Sequence, residues 1–462
     1  MVGTPADRAE QAGCTGSAIC KEHWMPEYRA PRGTYDILPD DQPYWRHITE
    51  LAHRTAGRFG YRQLDTPIFE DVSLFTRGIQ EGTDIVDKEI YMFKDRGDDV
   101  LALRPEFTAG TVRAYIEHGM HTWPQPVKVY SMGPIFRYDR PQAGRYRQFY
   151  QFNVEAIGSA DPAADFEIMS AAWDWYETIG LKGLSFQINS IGDKVCRPAY
   201  IEALRAYYAQ HLDAICEDCK RRLETNPLRV LDCKNDQCQP VIGGAPRTID
   251  FLCEPCAAHF AKLRTYLEMA GRPYIINNRL VRGLAYYTRT VFEVWASALG
   301  AQSAVCGGGR YDDLAQELGG RATPAVGFAA GMDRVVLVMR GEQIQPPLIL
   351  LPQVLVAYQG EPAKIEAVRL AMQLRAAGVR SVMSFDNRSL KAQLKQASRE
   401  GVRYVLIIGE QELAAQQVAV KSMLEKGEQA NVDLAKVVQT LVDWLAAPQG
   451  TPQPALSSAP VR

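Results

Sequence analysis

The residue types best suited to chemistry are concentrated in one stretch, Ser131–Gly158, where two apolar and aromatic runs flank a basic loop. This pattern predicts an antiparallel hairpin with a charged tip over Tyr138–Arg147. Because strand side chains alternate between faces, one face of the second run should carry four residues: Phe149, Gln151, Asn153 and Glu155. Together with Arg137, these groups could hold a base, a phosphate and an amine. A polar strand face is also commonly just solvated, and this stretch alone leaves both interpretations open.

Two further segments combine charged and aromatic residues. Arg104-Pro105-Glu106-Phe107-Thr108 opens a predicted helix, where Glu106 either binds a ligand or only stabilises the helix dipole. Arg282-Gly283-Leu284-Ala285-Tyr286-Tyr287 precedes a predicted strand, but a loop arginine is usually solvated and paired tyrosines could belong to the core. The glycine run 307–309 is not a phosphate-binding loop, because no Gly-Lys-Ser/Thr follows it. Its use would be close backbone approach at a strand end.

Composition places the chain among ordinary globular proteins. Its 462 residues are 46% hydrophobic and 23% charged, and the net charge of −2 gives no global field that would attract a nucleic acid. A polyanion would therefore have to meet a local patch. The sequence contains neither a membrane-spanning apolar run nor a secretory signal, so we expect a cytoplasmic protein that is not associated with a membrane.

The order of the predicted elements divides the chain into units. Helix and strand signals alternate up to a proline-containing break at Gln343–Pro347, and Val354–Gly409 then follows a βαβαβ pattern. Within the first unit, Tyr61–Phe75 reads as one strand that Pro67 would confine to an edge, and residues 307–309 read as a turn. The predicted organisation is a disordered extension at 1–26, a unit over 27–342 with a helical insertion at about 197–272, an α/β unit over 350–446 and a disordered tail over 448–462.

The insertion carries most of the ten cysteines. Cys216-x-x-Cys219 and Cys253-x-x-Cys256 have the local spacing of zinc ligands, so the two pairs could form one zinc knuckle. Three further residues could serve as additional ligands: Cys233, Cys238 and His259. In a chain without an export signal, reduced thiols or a metal site are more plausible than a disulfide framework.

Five ordered segments together resemble the class II aminoacyl-tRNA synthetases, and two of them resemble signatures of the histidyl-tRNA synthetases. Gly133-Pro-Ile-Phe-Arg137 with Arg145-Tyr-Arg-Gln-Phe149 and Glu155 is similar to motif 2, and Gly327-Phe-Ala-Ala-Gly-Met-Asp-Arg334 to motif 3. The helix and strand around Pro67 are similar to motif 1, the dimer-forming element. The histidine-specific signatures correspond to Leu280–Tyr287 and Ala304–Asp312. The resemblance implies an α+β fold, an antiparallel sheet flanked by helices, with a helical insertion and a C-terminal α/β anticodon-binding domain.

The resemblance also implies the reaction and its residues. Histidine would attack the α-phosphate of ATP, which comes with Mg²⁺, to give histidyl-adenylate, and the histidyl group would pass to tRNA(His). Arg137 and Arg282 would be catalytic at the α-phosphate, Arg334 would hold the γ-phosphate and Phe149 would stack on adenine. The rest of the predicted ATP site is Arg145 and Asp139. The predicted histidine site is Glu106, Phe107, Thr108, Gln151, Glu155, Tyr286 and Tyr287, with Glu106 and Thr108 at the amino group and Glu155 and Tyr287 at the imidazole.

The resemblance also implies binding partners outside the active site. Lys391, Lys395 and Arg399 lie four residues apart on a predicted helix of the anticodon-binding domain and would contact tRNA, although such a stripe is often only a solvated face. The motif 1 resemblance implies a homodimer. The family does not require a metal for its insertion, so no metal ligand is predicted, although the cysteines would permit a structural zinc.

Four residues depart from the family pattern without removing a predicted substrate contact: Phe107, Asp139, Ala285 and Asp333. Asp139 and Asp333 stand where glutamate is common, so each keeps the charge with a shorter reach. The main alternative function is a histidine-binding regulatory paralogue of ATP phosphoribosyltransferase that does not charge tRNA. A pure RNA-binding module would explain the basic stripe but not the predicted histidine site.

Overall fold

A computed structural model describes residues 28–79, 85–297, 304–347, 351–423 and 429–446. The chain divides into two compact units between Gln345 and Pro346. The predicted disordered segments at 1–26 and 448–462 lie outside the described residues. No helix in the described ranges is both long enough and apolar enough to cross a membrane.

The first unit contains eleven strands in its described part. They are β1 (Arg62–Gln63), β2 (Phe69–Asp71), β3 (Met92–Lys94), β4 (Val100–Leu103), β5 (Val127–Phe136), β6 (Gln148–Ile157), β7 (Leu184–Ser190), β8 (Tyr274–Ile276), β9 (Thr288–Ala296), β10 (Ala304–Arg310) and β11 (Ala325–Gly331). Eight of them form one sheet in the order β1-β5-β6-β11-β10-β9-β7-β8. Its strand pairs are antiparallel except at the two edges, where β1–β5 and β7–β8 are parallel. The strands β2-β4-β3 form a separate small sheet.

Ten α-helices accompany these strands in the described residues. They are α1 (Gln42–Arg58), α2 (Val72–Ile79), α3 (Thr108–Glu117), α4 (Pro162–Ile179), α5 (Arg197–Ala209), α6 (Glu217–Thr225), α7 (Gln239–Gly243), α8 (Glu254–Met269), α9 (Leu314–Glu317) and α10 (Met332–Gly341). The helices α5 to α8 and the short turns between them form the insertion. The α+β architecture predicted from the sequence is confirmed.

The central hairpin β5–β6 separates a core face from a polar face. In β6, the fully buried side chains of Phe152 and Val154 belong to a core that includes Ile48 of α1 and Trp175 of α4. The Trp175 indole also donates a hydrogen bond to the Ile48 carbonyl at 3.1 Å. The alternate residues of β6 face the other side of the sheet, where polar groups are buried. The hairpin therefore presents one side to the helices and keeps the other for the site.

Two predicted elements of the first unit are wrong. Tyr61–Phe75 is not one strand but two short strands followed by α2, because Pro67 lacks the amide that would continue the ladder. The glycines 307–309 do not form a turn; they lie within β10 and pair with both β9 and β11. A Cβ on Gly308 would lie 2.3 Å from the Gly327 carbonyl oxygen, so the neighbouring strands require glycine there.

The second unit is a five-stranded sheet with helices. Its elements are β12 (Val354–Tyr358), α11 (Glu361–Ala376), β13 (Ser381–Met383), α12 (Leu390–Glu400), β14 (Tyr404–Ile408), α13 (Glu410–Ala414), β15 (Gln417–Ser422), β16 (Gln429–Asp433) and α14 (Val437–Ala446). The strand order is β13-β12-β14-β15-β16, parallel over the first three and antiparallel thereafter. The predicted βαβαβ part is confirmed, whereas the hairpin β15–β16 and the helix α14 were not predicted.

Candidate active site

A cavity of about 320 Å³ lies over the polar side of the large sheet. Seven of its lining residues were predicted from the sequence as ATP or histidine ligands: Arg137, Asp139, Arg145, Phe149, Gln151, Arg282 and Arg334. They come from β6, from its connection to β5, from the segment before β9 and from the start of α10. The fold therefore brings together groups that are nearly 200 residues apart in the chain.

Arg137 is fixed at the end of the hairpin by neighbouring groups. Its Nε donates to the Pro105 carbonyl at 2.8 Å, and its guanidinium lies 5.6 Å from the centre of the Phe149 ring. Burial lowers the pKa of Arg137 from its ordinary value, with Glu89 and Glu106 opposing that shift. The result is a positioned cation beside an aromatic face, which suits a phosphate next to a base.

Arg282 lies across the glycine run of β10. Its Nη1 donates to Glu293 Oε1 at 2.7 Å, and its guanidinium is 5.7 Å from the Tyr287 ring centre. Its buried Nε has no hydrogen-bond partner among the described residues, so one donor remains available. A Cβ on Gly307 would lie only 2.2 Å from Arg282 Nη2. Glycine at 307 therefore creates the space in which this arginine lies.

We expect Gly307→Ala to displace Arg282 and to lower the rate of the ATP–pyrophosphate exchange that the motif 2 resemblance implies. Overpacking of this kind costs about 1–3 kcal/mol, which corresponds to a loss of about five- to 150-fold if it falls on the positioned guanidinium. The matched control is Gly341→Ala, because an added Cβ there meets no described heavy atom within 4 Å. Exchange assays should show a loss only in Gly307→Ala, and equal rates in both variants would contradict the assigned role of Gly307.

Arg334 connects the start of α10 to the loop of the hairpin. Its Nε donates to the Gly144 carbonyl at 3.1 Å and its Nη1 to the Ala304 carbonyl at 2.7 Å. In the same loop, Asp139 accepts a hydrogen bond from Arg145 Nε. Two predicted ATP ligands, Asp139 and Arg145, are thus paired with each other, and a third, Arg334, is held by backbone carbonyls.

The departure at Asp333 has a structural role. Its carboxylate accepts from the Tyr150 amide at 2.7 Å and from the Tyr35 hydroxyl at 2.5 Å. Burial raises the pKa of Asp333 from its ordinary value, although both hydrogen bonds oppose that shift. Asp333 therefore ties α10 to β6, and the shorter aspartate reaches both partners.

Glu155 is the centre of a buried polar cluster further along the same face of β6. Its Oε1 accepts from Thr108 Oγ1 at 2.6 Å and Asn153 Nδ2 at 3.1 Å, and its Oε2 accepts from the Tyr311 hydroxyl at 2.5 Å. Burial raises the pKa of Glu155 to about 7, and these hydrogen bonds oppose a larger shift. A Cβ on Gly327 would lie 1.6 Å from Glu155 Oε2, so the facing strand requires glycine.

Aromatic rings and an unpaired amide adjoin this carboxylate. Tyr286 and Tyr287 are buried, with ring centres 4.8 Å apart, and Tyr286 lies 5.8 Å from Tyr311. Gln151 is also buried, and its Oε1 has no hydrogen-bond partner among the described residues. A buried acceptor of this kind is costly unless a ligand supplies the missing donor. Gln151 lines the cavity. Glu155 lies four residues further along the same face of β6 and does not line the cavity.

The side chains of Glu106 and Phe107 make contacts within the protein and do not face the cavity. The Glu106 carboxylate accepts from the Thr108 amide at 2.5 Å and the Ala109 amide at 2.7 Å, as a cap at the start of α3. Phe107 is 1% exposed and packs under Arg104, whose guanidinium is 4.3 Å from its ring centre. Neither residue lines the cavity. The helix-capping interpretation of Glu106 therefore holds, and its oxygens keep further acceptor capacity.

Two residues of the site were not predicted. Tyr311 donates to Glu155, and Glu293 accepts from both Arg282 and the Trp295 indole at 2.9 Å. Tyr311 belongs to the segment Ala304–Asp312, so its signal was present. Glu293 lies mid-strand in β9, where a carboxylate among apolar residues is itself unusual and could have been recognised.

The basic residues predicted to contact tRNA are all exposed. Lys391, Lys395 and Arg399 lie on α12, whose opposite side buries Gln393 and Ala397. The buried Gln393 exchanges hydrogen bonds with both backbone groups of Tyr358 at 3.1 and 2.8 Å, which fixes α12 against β12.

The two CxxC pairs, which could have formed one knuckle, lie in separate groups. Cys216 and Cys219 lie with Cys233 and Cys238, whereas Cys253 and Cys256 lie with Asp193 and Cys196 in a second group. His259 belongs to neither group, because its Nε2 is 3.0 Å from Asp165 Oδ1 in a buried pair. The folded insertion thus separates the two CxxC motifs.

Comparison with known proteins agrees with this geometry. A family model described as histidyl-tRNA synthetase matches residues 33–214 and 249–335, and one described as an anticodon-binding domain matches 353–444. The chain is 51% identical over 411 residues to a histidine–tRNA ligase of Dehalococcoides mccartyi, covering 89% of this chain and 98% of that protein. It is 46% identical over 419 residues to the histidine–tRNA ligase of Geobacillus thermodenitrificans, covering 90% and 98%.

Solved structures show the same relationship. The apo histidyl-tRNA synthetase of S. aureus superposes with a TM-score of 0.75 at 37% identity, covering 89% of this chain and 99% of that one. These matches extend over both units. The chain belongs to the histidyl-tRNA synthetase family.

Proposed function

We propose that this chain activates L-histidine with ATP to histidyl-adenylate and then transfers the histidyl group to tRNA(His). The observation that carries the proposal is the sequence of groups along one face of β6. An arginine-lined cavity lies at its Phe149 and Gln151 end, and a buried acceptor cluster centred on Glu155 follows four residues later. A rise of about 3.3 Å per residue places these two parts about 13 Å apart. That spacing suits a nucleotide joined end to end with an amino acid.

In the first step, a carboxylate oxygen of histidine bonds to the α-phosphorus of ATP, and the bond from that phosphorus to the bridging oxygen breaks. Pyrophosphate leaves with the electron pair. Arg137 and Arg282 stabilise the charge that gathers on the α-phosphate, and Arg334 holds the γ-phosphate. Phe149 stacks on the adenine. No general base is needed, because the attacking carboxylate is already ionised near neutral pH.

Mg²⁺ enters with ATP as part of the substrate. Three carboxylates line the cavity: Asp139, Glu293 and Asp333. Oxygen ligands of this kind are those that Mg²⁺ takes alongside phosphate oxygens and water. Each of the three already accepts hydrogen bonds within the protein: Asp333 from Tyr35 and Tyr150, Glu293 from Arg282 and Trp295, and Asp139 from Arg145. Any of them would therefore bind the ion through its remaining acceptor capacity.

Recognition of histidine rests on Glu155. A buried carboxylate that accepts an imidazole N–H discriminates strongly, since a side chain without that donor would leave Glu155 unpaired. Tyr287 adjoins the imidazole in this proposal, and Gln151 Oε1 accepts from the head of the amino acid. Thr108 and Glu106 lie towards the α-amino group, where Glu106 adds negative charge.

The proposal is tested by aminoacylation. Radiolabelled histidine should enter acid-precipitable tRNA(His) in the presence of Mg·ATP, while other amino acids and other tRNAs should not support incorporation. Binding of histidine without tRNA charging would instead favour the regulatory paralogue. The match of residues 353–444 to an anticodon-binding domain supports the charging function over that alternative.

The exposed residues Lys391, Lys395 and Arg399 are proposed to contact tRNA phosphates. Replacing all three with alanine should raise KM for tRNA by about tenfold or more and reduce the slope of log affinity against log salt by about one per contact. ATP–pyrophosphate exchange should not change, because it does not involve tRNA. A matched control replaces three other exposed basic residues of the second unit, Arg369, Arg380 and Lys436. Equal tRNA affinities in the two triple variants would contradict the assignment.

A homodimer is proposed on the small sheet β2-β4-β3. Its surface exposes five large apolar side chains: Ile68, Phe69, Met92, Phe93 and Val100. The rings of Phe69 and Phe93 lie 6.4 Å apart and form a continuous apolar patch on one face of this sheet, and Met92 and Val100 lie on its opposite face. Exposed apolar patches of this kind commonly mark protein interfaces.

The proposed reaction uses tRNA as a substrate, so the proposal also includes a cytoplasmic location.

We expect Phe93→Glu to convert the dimer to a monomer in sedimentation analysis, because a charge would be buried at the interface. Phe385→Glu is the control: it makes the same change at an exposed phenylalanine, 79% accessible, in the second unit. A parent chain that sediments as a monomer, or a Phe93→Glu variant that remains dimeric, would contradict the proposed interface.

A further inference from the structure

The insertion, together with Asp193 and Cys196 just before it, holds two four-residue groups whose ligand atoms converge, each set lying within 4.8 Å of one another. The first consists of the thiols of Cys216, Cys219, Cys233 and Cys238. It lies in residues 215–248, between the two segments that match the synthetase family. This part of the chain is therefore not accounted for by the proposed reaction.

Two sulfur–sulfur distances in the first group match those of a tetrahedral metal site. Four sulfurs at about 2.3 Å from a zinc ion stand about 3.8 Å from one another. In this group, Cys216 Sγ lies 3.8 Å from Cys233 Sγ, and Cys238 Sγ lies 3.8 Å from Cys219 Sγ. A disulfide would instead require about 2.05 Å, and all the cysteines of the described residues are free thiols.

Backbone amides donate hydrogen bonds to two of these sulfurs. The Cys216 amide donates to Cys238 Sγ at 3.2 Å, and the Asn235 amide donates to Cys233 Sγ at 3.4 Å. Cys216 also precedes the first turn of α6, where the helix dipole stabilises negative charge. Amide donors beside ligand sulfurs orient the ligands and stabilise their charge.

The second group carries the same argument independently. Asp193 faces three cysteines: its Oδ1 lies 3.6 Å from Cys196 Sγ and 3.9 Å from Cys253 Sγ, and its Oδ2 lies 3.1 Å from Cys256 Sγ. A tetrahedral zinc bound by one oxygen and three sulfurs places oxygen and sulfur about 3.6 Å apart, a spacing close to the two Oδ1 distances. Arg289 Nη2 lies 3.5 Å from Asp193 Oδ2 and offsets part of the negative charge.

We propose that the insertion and the segment just before it bind two zinc ions, one at Cys216, Cys219, Cys233 and Cys238 and the other at Asp193, Cys196, Cys253 and Cys256. Zinc fits because thiolates in a closed tetrahedral arrangement are its usual structural ligands. Each site joins a CxxC motif at a helix start to ligands from a separate segment. The ions therefore cross-link the insertion, whose described part consists of helices and turns without β-strands to hold it together.

The first site has a consequence for the active site. The turn Pro227–Val230 lies between its two halves in the sequence, and Pro227 and Leu228 share a small cavity with Arg282 and Leu284. An added Cβ on Gly283 would lie 3.8 Å from Arg229 Nη1. The zinc-bound segment thus forms the outer wall of the loop that carries Arg282.

The test is the metal content of the purified full-length chain, measured by plasma mass spectrometry. The parent chain should carry two zinc ions. Cys238→Ser should lose one, Cys256→Ser should lose the other and the double variant should lose both. Cys20→Ser, a cysteine outside the described residues, is the control and should keep both ions. A parent chain without bound zinc, with iron in its place or with its cysteines oxidised to disulfides would overturn the proposal.

A second measurement covers the case in which the variants do not fold. Zinc-edge X-ray absorption of the parent chain should show Zn–S distances of about 2.3 Å and a mean of between three and four sulfurs per zinc. Replacement of zinc by cobalt should give the visible bands of tetrahedral thiolate coordination. A first shell dominated by nitrogen or oxygen would contradict both sites.

Discussion

Arg282→Ala should lower histidine-dependent ATP–pyrophosphate exchange by about 10²–10³-fold, the loss of about 2.7–4 kcal/mol seen when one positioned donor is removed from a developing anion. The reason is geometric. Arg282 rests on the Gly307 backbone, is oriented by Glu293 at 2.7 Å and keeps a buried Nε without a partner among the described residues. The effect should fall mainly on kcat, since charge on the α-phosphate increases in the transition state.

The control for this prediction lies three residues away. Arg279 is exposed and donates to Gln239 Oε1 at 3.1 Å, outside the cavity, so Arg279→Ala should exchange at the rate of the parent chain. Arg282→Lys should recover only part of the activity, because an ammonium cannot reproduce the planar donor set. An Arg282→Ala variant as active as Arg279→Ala would remove Arg282 from the catalytic assignment.

Glu155→Gln should raise KM for histidine by about 30-fold or more, with a smaller effect on kcat. Loss of a charged, buried acceptor costs about 2 kcal/mol, since the substrate N–H then meets an amide in place of a carboxylate. Binding of ATP alone should be unchanged, because Glu155 lies beyond the cavity on β6. Glu117→Gln, at the exposed end of α3, is the matched control. Equal KM values in the two variants would contradict the assigned contact.

The pH dependence of histidine binding follows from the same residue. Burial raises the pKa of Glu155 from 4.5 to about 7, so the carboxylate that accepts the imidazole N–H is present above about pH 7 and is lost below it. KM for histidine should therefore rise as the pH falls through 7. The substrate imidazole also titrates near pH 6.5, and the Glu155→Gln variant retains that contribution alone. A parent chain and variant with the same pH profile would exclude Glu155 as the titrating group.

The raised pKa of Glu155 also affects the stability of the fold: a rise in pH favours histidine binding but lowers the free energy of unfolding. Ionising Glu155 in the folded chain costs about 3 kcal/mol relative to the unfolded chain, from a difference of about 2.5 pKa units. Its contribution to the free energy of unfolding therefore falls between about pH 4.5 and pH 7 and is level above that. Bound histidine would offset this cost by supplying a donor, so the site is built for its ligand and not for maximal stability.

Much of the fold could be predicted from the sequence, because strong local patterns coincide with the helices and strands of the structure. The alternation of Phe149, Gln151, Asn153 and Glu155 predicted the polar face of β6, and the pattern of Val354–Gly409 predicted the elements β12 to β14. The exceptions have physical causes. Pro67 interrupts the ladder, and the glycines 307–309 continue a strand because their neighbours approach too closely for any side chain.

The site was less predictable where the tertiary arrangement decides the partners. Glu106 and Phe107 are predicted to bind histidine, and the sequence could not show that Glu106 also caps α3 or that Phe107 packs under Arg104. The cysteine spacing could identify two CxxC motifs but not which of the remaining residues each would join. Asp193 has no local pattern that marks it as a neighbour of Cys256, since 62 residues lie between them in the chain.

The central claim is that one face of β6 joins an adenylate-forming cavity to a histidine pocket, and isotope exchange between pyrophosphate and ATP tests it most directly. With the parent chain and Mg·ATP, exchange should require L-histidine and should be absent with each of the other amino acids. It should not require tRNA. A folded chain that binds histidine but shows no exchange, or exchange that another amino acid supports equally well, would contradict the account.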